Sequence, residues 1–196
     1  MDSTTTSAPA VDPRRRGFSL AEVLIATALS GLVMTAVLSA FLFAGRTGLR
    51  ASAMSELESE IRRGLETFAQ DARRATDIRW NGQQSITFTL SGGARVTYAY
   101  DGTSSSPTYR SFVRAEGEDV TATPRRALVR GVASDLAFRR YKVAQPGVTD
   151  NTAANDRETK QIQVVFRAER TSGSTAGASQ SAASARHILR NKRVAN

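Results

Sequence analysis

Residues 14–44 read RRRGFSLAEVLIATALSGLVMTAVLSAFLFA. Three arginines and a glycine lead directly into an apolar run, and one carboxylate, Glu22, lies inside that run. From Val23 to Ala44 no side chain is charged, and the stretch is as long as the ~20 residues that a helix needs to cross a bilayer. An ionised group in such a segment is costly, so a carboxylate there is by default functional and calls for a partner.

The flanks give the segment a direction. Arg14, Arg15 and Arg16 precede it, whereas Arg46 and Arg50 beyond it are soon balanced by Glu56, Glu58 and Glu60. The positive-inside bias therefore places the amino end in the cytoplasm and the rest of the chain on the other side. A secretory signal would have a shorter apolar region and a small-residue cleavage site after it. Here the run is too long for that, and the only plausible cut lies before it. Ala26, Ala28, Ser30, Gly31, Ala36, Ser39 and Ala40 are small enough to let helices approach closely in a membrane. The segment reads as one that packs on other helices.

RRRG followed by FSLAEVLIA resembles the class III signal of type IV pilins and type II secretion pseudopilins: a basic leader ending in glycine, an aromatic first mature residue, and a glutamate four positions on. The resemblance implies that prepilin peptidase cuts between Gly17 and Phe18 on the cytoplasmic side and methylates the new Phe18 amine. It further implies that Glu22 pairs with the Phe18 amine of a neighbouring subunit and sets the stagger between chains. The leader is longer than many in that family and carries Asp2 and Asp12, outside the cleavage motif. Two plainer readings stand beside it. Glu22 could snorkel to the headgroups from one turn inside the helix, or the whole segment could be an uncleaved anchor. Neither accounts for glycine immediately before phenylalanine.

Beyond the membrane run the helical period continues. Met54, Leu57, Ile61, Leu65, Phe68, Ala72 and Ala75 recur at steps of three and four, which predicts one helix from Leu20 to Thr76. Gly45 and Gly48 are its weak point. After RWNGQQ the period becomes two. SITFTL and ARVTYAY around SGG form a hairpin; TYRSFVRAE is a third strand and RALVR a short one; SDLAFRRYKVA and QIQVVFRAER form another pair, separated by the polar loop QPGVTDNTAANDRETK. The expected fold is α+β, a long N-terminal helix packed on an antiparallel β-sheet. Its organisation is a leader (1–17), a transmembrane assembly helix (18–45), an amphipathic extension (46–78), a β domain (79–170), a low-complexity linker (171–185), and a basic tail or last strand (186–196). LETFAQDARRATDI leading into a β-rich domain looks like minor pilins of the PilW kind and the pseudopilin J class. Major subunits commonly close a loop with a disulfide, and this chain has no cysteine.

The lack of cysteine also excludes a thiol nucleophile and a thiolate metal site. The net charge of +9 suits acidic partners, but the leader arginines supply three of those charges. No constellation for catalysis appears, so a structural role rather than an enzyme is expected, with no cofactor. His187, the only histidine, lies in the basic tail with no acid or nucleophile nearby in sequence and reads as solvated or on a strand face. Ser91–Gly93 reads as a turn rather than a phosphate loop. Asp150, Asn151, Asn155, Asp156 and Glu158 gather oxygen donors in one loop, yet their spacing fits no EF-hand. A solvated loop is the default there, and calcium the alternative that the resemblance suggests. Arg139, Arg140, Tyr141 and Lys142, with Arg186, Arg190, Lys192 and Arg193 in the tail, raise nucleic-acid binding. On a strand, however, Arg139 and Tyr141 share one face and Arg140 and Lys142 the other, so a solvent-facing charge run is preferred. The partners implied by the resemblance are prepilin peptidase, other pilin or pseudopilin subunits and the inner-membrane assembly machinery. The expected location is the bacterial inner membrane, single-pass, with assembly into a filament. The alternative is a tethered protein whose β domain binds DNA or a surface ligand.

Overall fold

The computed structural model describes residues 17–121, 124–143, 146–147, 149–170 and 179–193. Helix α1 runs from Leu20 to Arg74 and is followed by eight strands: β1 (Ala75–Gly82), β2 (Ser85–Leu90), β3 (Arg95–Asp101), β4 (Ser111–Glu116), β5 (Arg125–Arg130), β6 (Ala137–Tyr141), β7 (Gln161–Arg170) and β8 (Ser179–Ile188). The fold is α+β, and the strands pair antiparallel throughout. The chain divides into two compact units at Arg46/Thr47. The helix is unbroken at Gly45 and Gly48. Its last turn carries Arg73 and Arg74, cations placed where the helix dipole favours them.

The structure differs from the sequence reading at both ends of the β region. The helix stops at Arg74, and Ala75 already pairs with Leu90 as the first residue of β1. The expected extension to Thr76, and the 46–78 segment built on it, therefore ran into a strand. Ala72 and Ala75 are both buried at a helical spacing. The period alone could not reveal that Ala75 is held by β2 instead of by another helical turn. At the other end, residues 179–185 were expected to belong to a linker, but they form most of β8, which pairs with β7 from Gln161↔Ile188 to Arg170↔Ser179 without a register break. The rest of the expected linker, 171–178, lies outside the described residues.

The strands also form two sheets instead of one. Sheet A is a five-stranded meander, β1-β2-β3-β4-β5, and sheet B is β6-β7-β8. They join where Val132 bridges to Ala168. Gly131, just before that bridge, has φ of 70°, and a β-carbon on it would lie 2.1 Å from the Glu169 carbonyl oxygen. Only glycine permits this crossing.

The second unit has a core made by one helix face and the inner faces of both sheets. Leu57, Ile61, Phe68 and Ala72 from α1 are buried against Ile86, Phe88, Phe112, Val129, Phe138, Val164 and Phe166. Phe68 is the hub, with ring centroids 5.6 Å from Phe88, 5.1 Å from Tyr98, 6.1 Å from Phe112 and 6.0 Å from Phe138. Such aromatic contacts add about 0.5–1.5 kcal/mol each beyond the area they bury. Gly64 allows the close approach to β5, since a β-carbon there would lie 2.8 Å from Val129 Cγ2.

Polar contacts fix the helix register on sheet A. Buried Asp71 accepts from the Tyr98 hydroxyl at 2.7 Å and from Arg114 Nε at 2.8 Å. Burial, and then the Asp71 carboxylate, push the Tyr98 phenol well above its ordinary range. Losing one partner of such a buried pair strands the other. Nearer the start of this unit, Arg170 on β7 meets Glu56 and Glu60 of the helix.

Asp101 ends β3 and organises the loop after it. Its carboxylate accepts from the Thr103 N–H at 3.1 Å and from the Ser106 and Thr108 hydroxyls, with Arg125 at 3.4 Å. Burial works to raise its pKa, but these hydrogen bonds and the guanidinium together hold it below the usual carboxylate value. A depressed folded pKa contributes stability that is complete above the unfolded value near ~4 and is lost as pH falls through the folded value. Thermal unfolding followed as a function of pH should therefore show an acid-side decline below about pH 4 that becomes shallower in Asp101→Asn.

Candidate functional site

The helix start is built by a reciprocal pair of bonds. Ser19 is the N-cap: the Glu22 N–H donates to Ser19 Oγ at 3.2 Å, and the Ser19 N–H donates to Glu22 Oε2 at 2.9 Å. The Val23 N–H closes the first turn on the Ser19 carbonyl at 3.2 Å. This is a capping box, S-x-x-E, which satisfies two donors that a helix otherwise leaves bare. Its signal was present in FSLAE, yet the sequence reading considered Glu22 only in relation to lipid and to neighbours. Glu22 Oε1 has no partner among the described residues. Gly17 and Phe18 precede the cap outside the helix, and both are exposed. A β-carbon on Gly17 would meet nothing within 4 Å, so packing within the fold does not demand glycine there. Arg14, Arg15 and Arg16 lie outside the described residues.

From Leu20 to Leu49 every side chain is exposed, including Leu24, Ile25, Leu29, Leu32, Val33, Met34, Val37, Leu38 and Phe41. Thr27 and Thr35 turn their hydroxyls back onto carbonyls of their own helix, leaving little polar surface to the outside. By length and composition the helix is able to cross a membrane. Exposed apolar surface on this scale requires lipid or other helices against it.

The remaining candidates disperse. His187 lies on the inner face of β8, its ring 5.7 Å from Phe68, and its Nε2 is buried with no hydrogen-bond partner among the described residues. Burial, and then the charge of Arg73, lower its pKa, which suits a neutral packing residue. In the polar loop, Asp150 caps the Thr152 N–H, Asn155 bonds with Glu158, and Asp156 accepts from the Trp80 N–H and from Arg140. The Asp150, Asn155, Asp156 and Glu158 side chains are thus engaged within the chain, and among the described residues no group of three or more acids or histidines is placed to hold a metal. Ser91–Gly93 is a turn, closed by the Gly93 N–H on the Leu90 carbonyl at 2.9 Å. The basic cluster separates as the strand period requires. Arg140 binds Asp156 and stacks over Trp80, Lys142 pairs with Glu158, and Tyr141 lies beneath Arg186.

Residues 12–38 match the family model of the prokaryotic N-terminal methylation motif. Over that segment the chain resembles type IV pilins and pseudopilins. The matched segment contains Gly17, Phe18, the Ser19–Glu22 capping box and most of the apolar run. A search of curated proteins found no match. The pilin signature implies association with prepilin peptidase and with other pilin subunits, and with the apolar helix it fits anchoring in the inner membrane.

Proposed function

We propose that the chain is a structural subunit, a minor pilin or pseudopilin, of a type IV pilus or a type II secretion-like filament. The observation that carries this reading is a methylation motif spanning residues 12–38 on a helix whose side chains from Leu20 to Leu49 are all exposed. In this reading the amino end is cytoplasmic and the β domain lies outside. Prepilin peptidase hydrolyses the peptide bond between Gly17 and Phe18 with one water, leaving a carboxylate on Gly17 and a free amine on Phe18; the amine then attacks the methyl carbon of a sulfonium methyl donor, which leaves as a thioether, and the new N-methyl amine gives up one proton. The leader arginines position the chain at the cytoplasmic face, and Gly17 gives the peptidase bare backbone to grip.

The capping box refines the role of Glu22. One carboxylate oxygen is held by the Ser19 N–H, which fixes the side chain along the first turn. The other is available to the Phe18 ammonium of an adjacent chain. Two opposite charges meeting in an apolar bundle enforce one stagger, because any other leaves both stranded. The inner-membrane assembly machinery then draws the subunit from lipid into the filament. The β domain supplies lateral or tip contacts, and no catalytic step is assigned to it.

The test is location. In the producing bacterium, a chain tagged after Asn196 should be released with the filament fraction on shearing, or after overproduction of the major subunit. Retention of all the tagged chain in washed membranes, while filaments are shed normally, would contradict the subunit role.

A further inference from the structure

The C-terminal run ARHILRNKR does not form one basic surface. Arg186 lies over Tyr141, its guanidinium 3.6 Å from the ring centroid, and His187 turns to the core. Beyond them Leu189 is fully buried, and its N–H donates to the Lys160 carbonyl at 2.9 Å. Lys160 Nζ in turn donates to the carbonyls of Arg190 and Lys192. The chain after β8 is thereby pinned to the segment just before β7. Lys192 and Arg193 are brought beside Arg157 and the start of β1, around a concavity of about 540 Å³ lined by Thr76, Asp77, Arg157, Asn191, Lys192 and Arg193.

Lys192 is the unusual member. Its side chain is only 4% exposed, and lysine is almost never so buried unless it is paired. Its ammonium has three donors, yet its one ionic partner among the described residues is Asp77 Oδ1 at 3.2 Å, on a side chain that is itself 65% exposed. That single carboxylate faces three cations. Arg157 and Arg193 are exposed and have no acidic partner among the described residues. The Thr76 hydroxyl is committed to the Thr89 carbonyl at 3.0 Å. A buried charge with one weakly held counter-ion, flanked by two unpaired guanidiniums at the mouth of a concavity, is an electrostatic surplus that an anion would neutralise.

We propose that this concavity binds a compact oxyanion, a phosphate or a carboxylate group. Arg157 and Arg193 supply planar forks suited to two parallel hydrogen bonds, and Lys192 supplies the point charge behind them. The concavity has room for such a group carried on a larger molecule. The site includes Arg157, which the sequence pattern did not connect with the tail, and excludes Arg139, Arg140, Tyr141 and Lys142.

The test uses the full-length protein in a non-ionic detergent at low ionic strength, titrated calorimetrically with sodium pyrophosphate and separately with succinate. Saturable one-site binding of at least one probe is expected, weakened about tenfold or more in the double variant Arg157→Gln/Arg193→Gln. Arg139→Gln, an exposed arginine outside the site, should leave binding within about twofold. Both altered arginines are exposed, so the double variant should unfold at the parent temperature, and a thermal melt verifies this. Tighter pyrophosphate binding identifies phosphate as the natural group, and tighter succinate binding identifies carboxylate; either result upholds the site. No saturable binding of either probe, or an equal loss in Arg139→Gln, overturns it.

Discussion

Gly131→Val should cost the second unit about 4 kcal/mol or more, a loss at the far end of single-substitution effects. Two terms combine. At φ of 70° a β-branched residue is a genuine outlier, and holding it there costs about 1–3 kcal/mol. The first side-chain carbon would also sit 2.1 Å from the Glu169 carbonyl oxygen, and that obstacle is backbone, not a movable side-chain tip. Glu169 cannot retreat cheaply. Its N–H donates to the Gly131 carbonyl at 2.8 Å, and the next residues form the Val132↔Ala168 bridge that joins the sheets. Gly92→Ala is the control, because Gly92 also has positive φ, 116°, but a β-carbon there meets nothing within 4 Å. It should cost only the backbone term. Denaturant titration of both variants in detergent would separate the clash from the dihedral penalty; equal midpoints would show that the sheet junction tolerates the side chain.

Glu22→Ala should leave processing at Gly17 intact and reduce incorporation into filaments by a hundredfold or more, which corresponds to the about 3–5 kcal/mol lost when one partner of a buried ion pair is removed. The capping box complicates this variant, because removing Glu22 also deletes the bond from the Ser19 N–H. Loss of a cap accounts for about 1 kcal/mol, too little for a hundredfold effect. Glu22→Gln divides the two roles, since glutamine at the third helical position still completes the box but carries no charge. If the proposed pairing with the Phe18 amine holds, Glu22→Gln should assemble nearly as poorly as Glu22→Ala. Parent-like assembly of Glu22→Gln would reduce Glu22 to a local helix cap. Quantifying subunit in sheared filaments against total processed subunit reads both variants.

The elements that were legible in the sequence have their pattern within one short window. SITFTL-SGG-ARVTYAY contains both strands and the turn of a hairpin, and β2 and β3 pair across it as expected. The apolar face from Leu57 to Ala72 has a helical period, and that face enters the core. What was missed depends on partners distant in sequence. β8 is rich in serine and alanine and carries no strand signal of its own; it is a strand because β7 offers a complete ladder and because Ala183, opposite Phe166, fits the limited space beneath the core. Ala75 ends the helix because β2 captures it. The division into two sheets depends on Gly131, one glycine among several. Lys192 looked like part of a solvated tail, and groups far away in sequence, Lys160 and Asp77, hold it inward. The capping box is different: Ser19 and Glu22 are three residues apart, and the bond could have been read from FSLAE directly.

The apolar segment is an assembly helix only if the chain is cut after Gly17 in cells. Intact-mass analysis and N-terminal sequencing of the chain purified from membranes of the producing bacterium, with its prepilin peptidase active, read that terminus. A chain beginning at N-methylated Phe18 is expected. A chain still carrying Arg14, Arg15, Arg16 and Gly17 would contradict it, and would make this segment a permanent tether rather than an assembly helix.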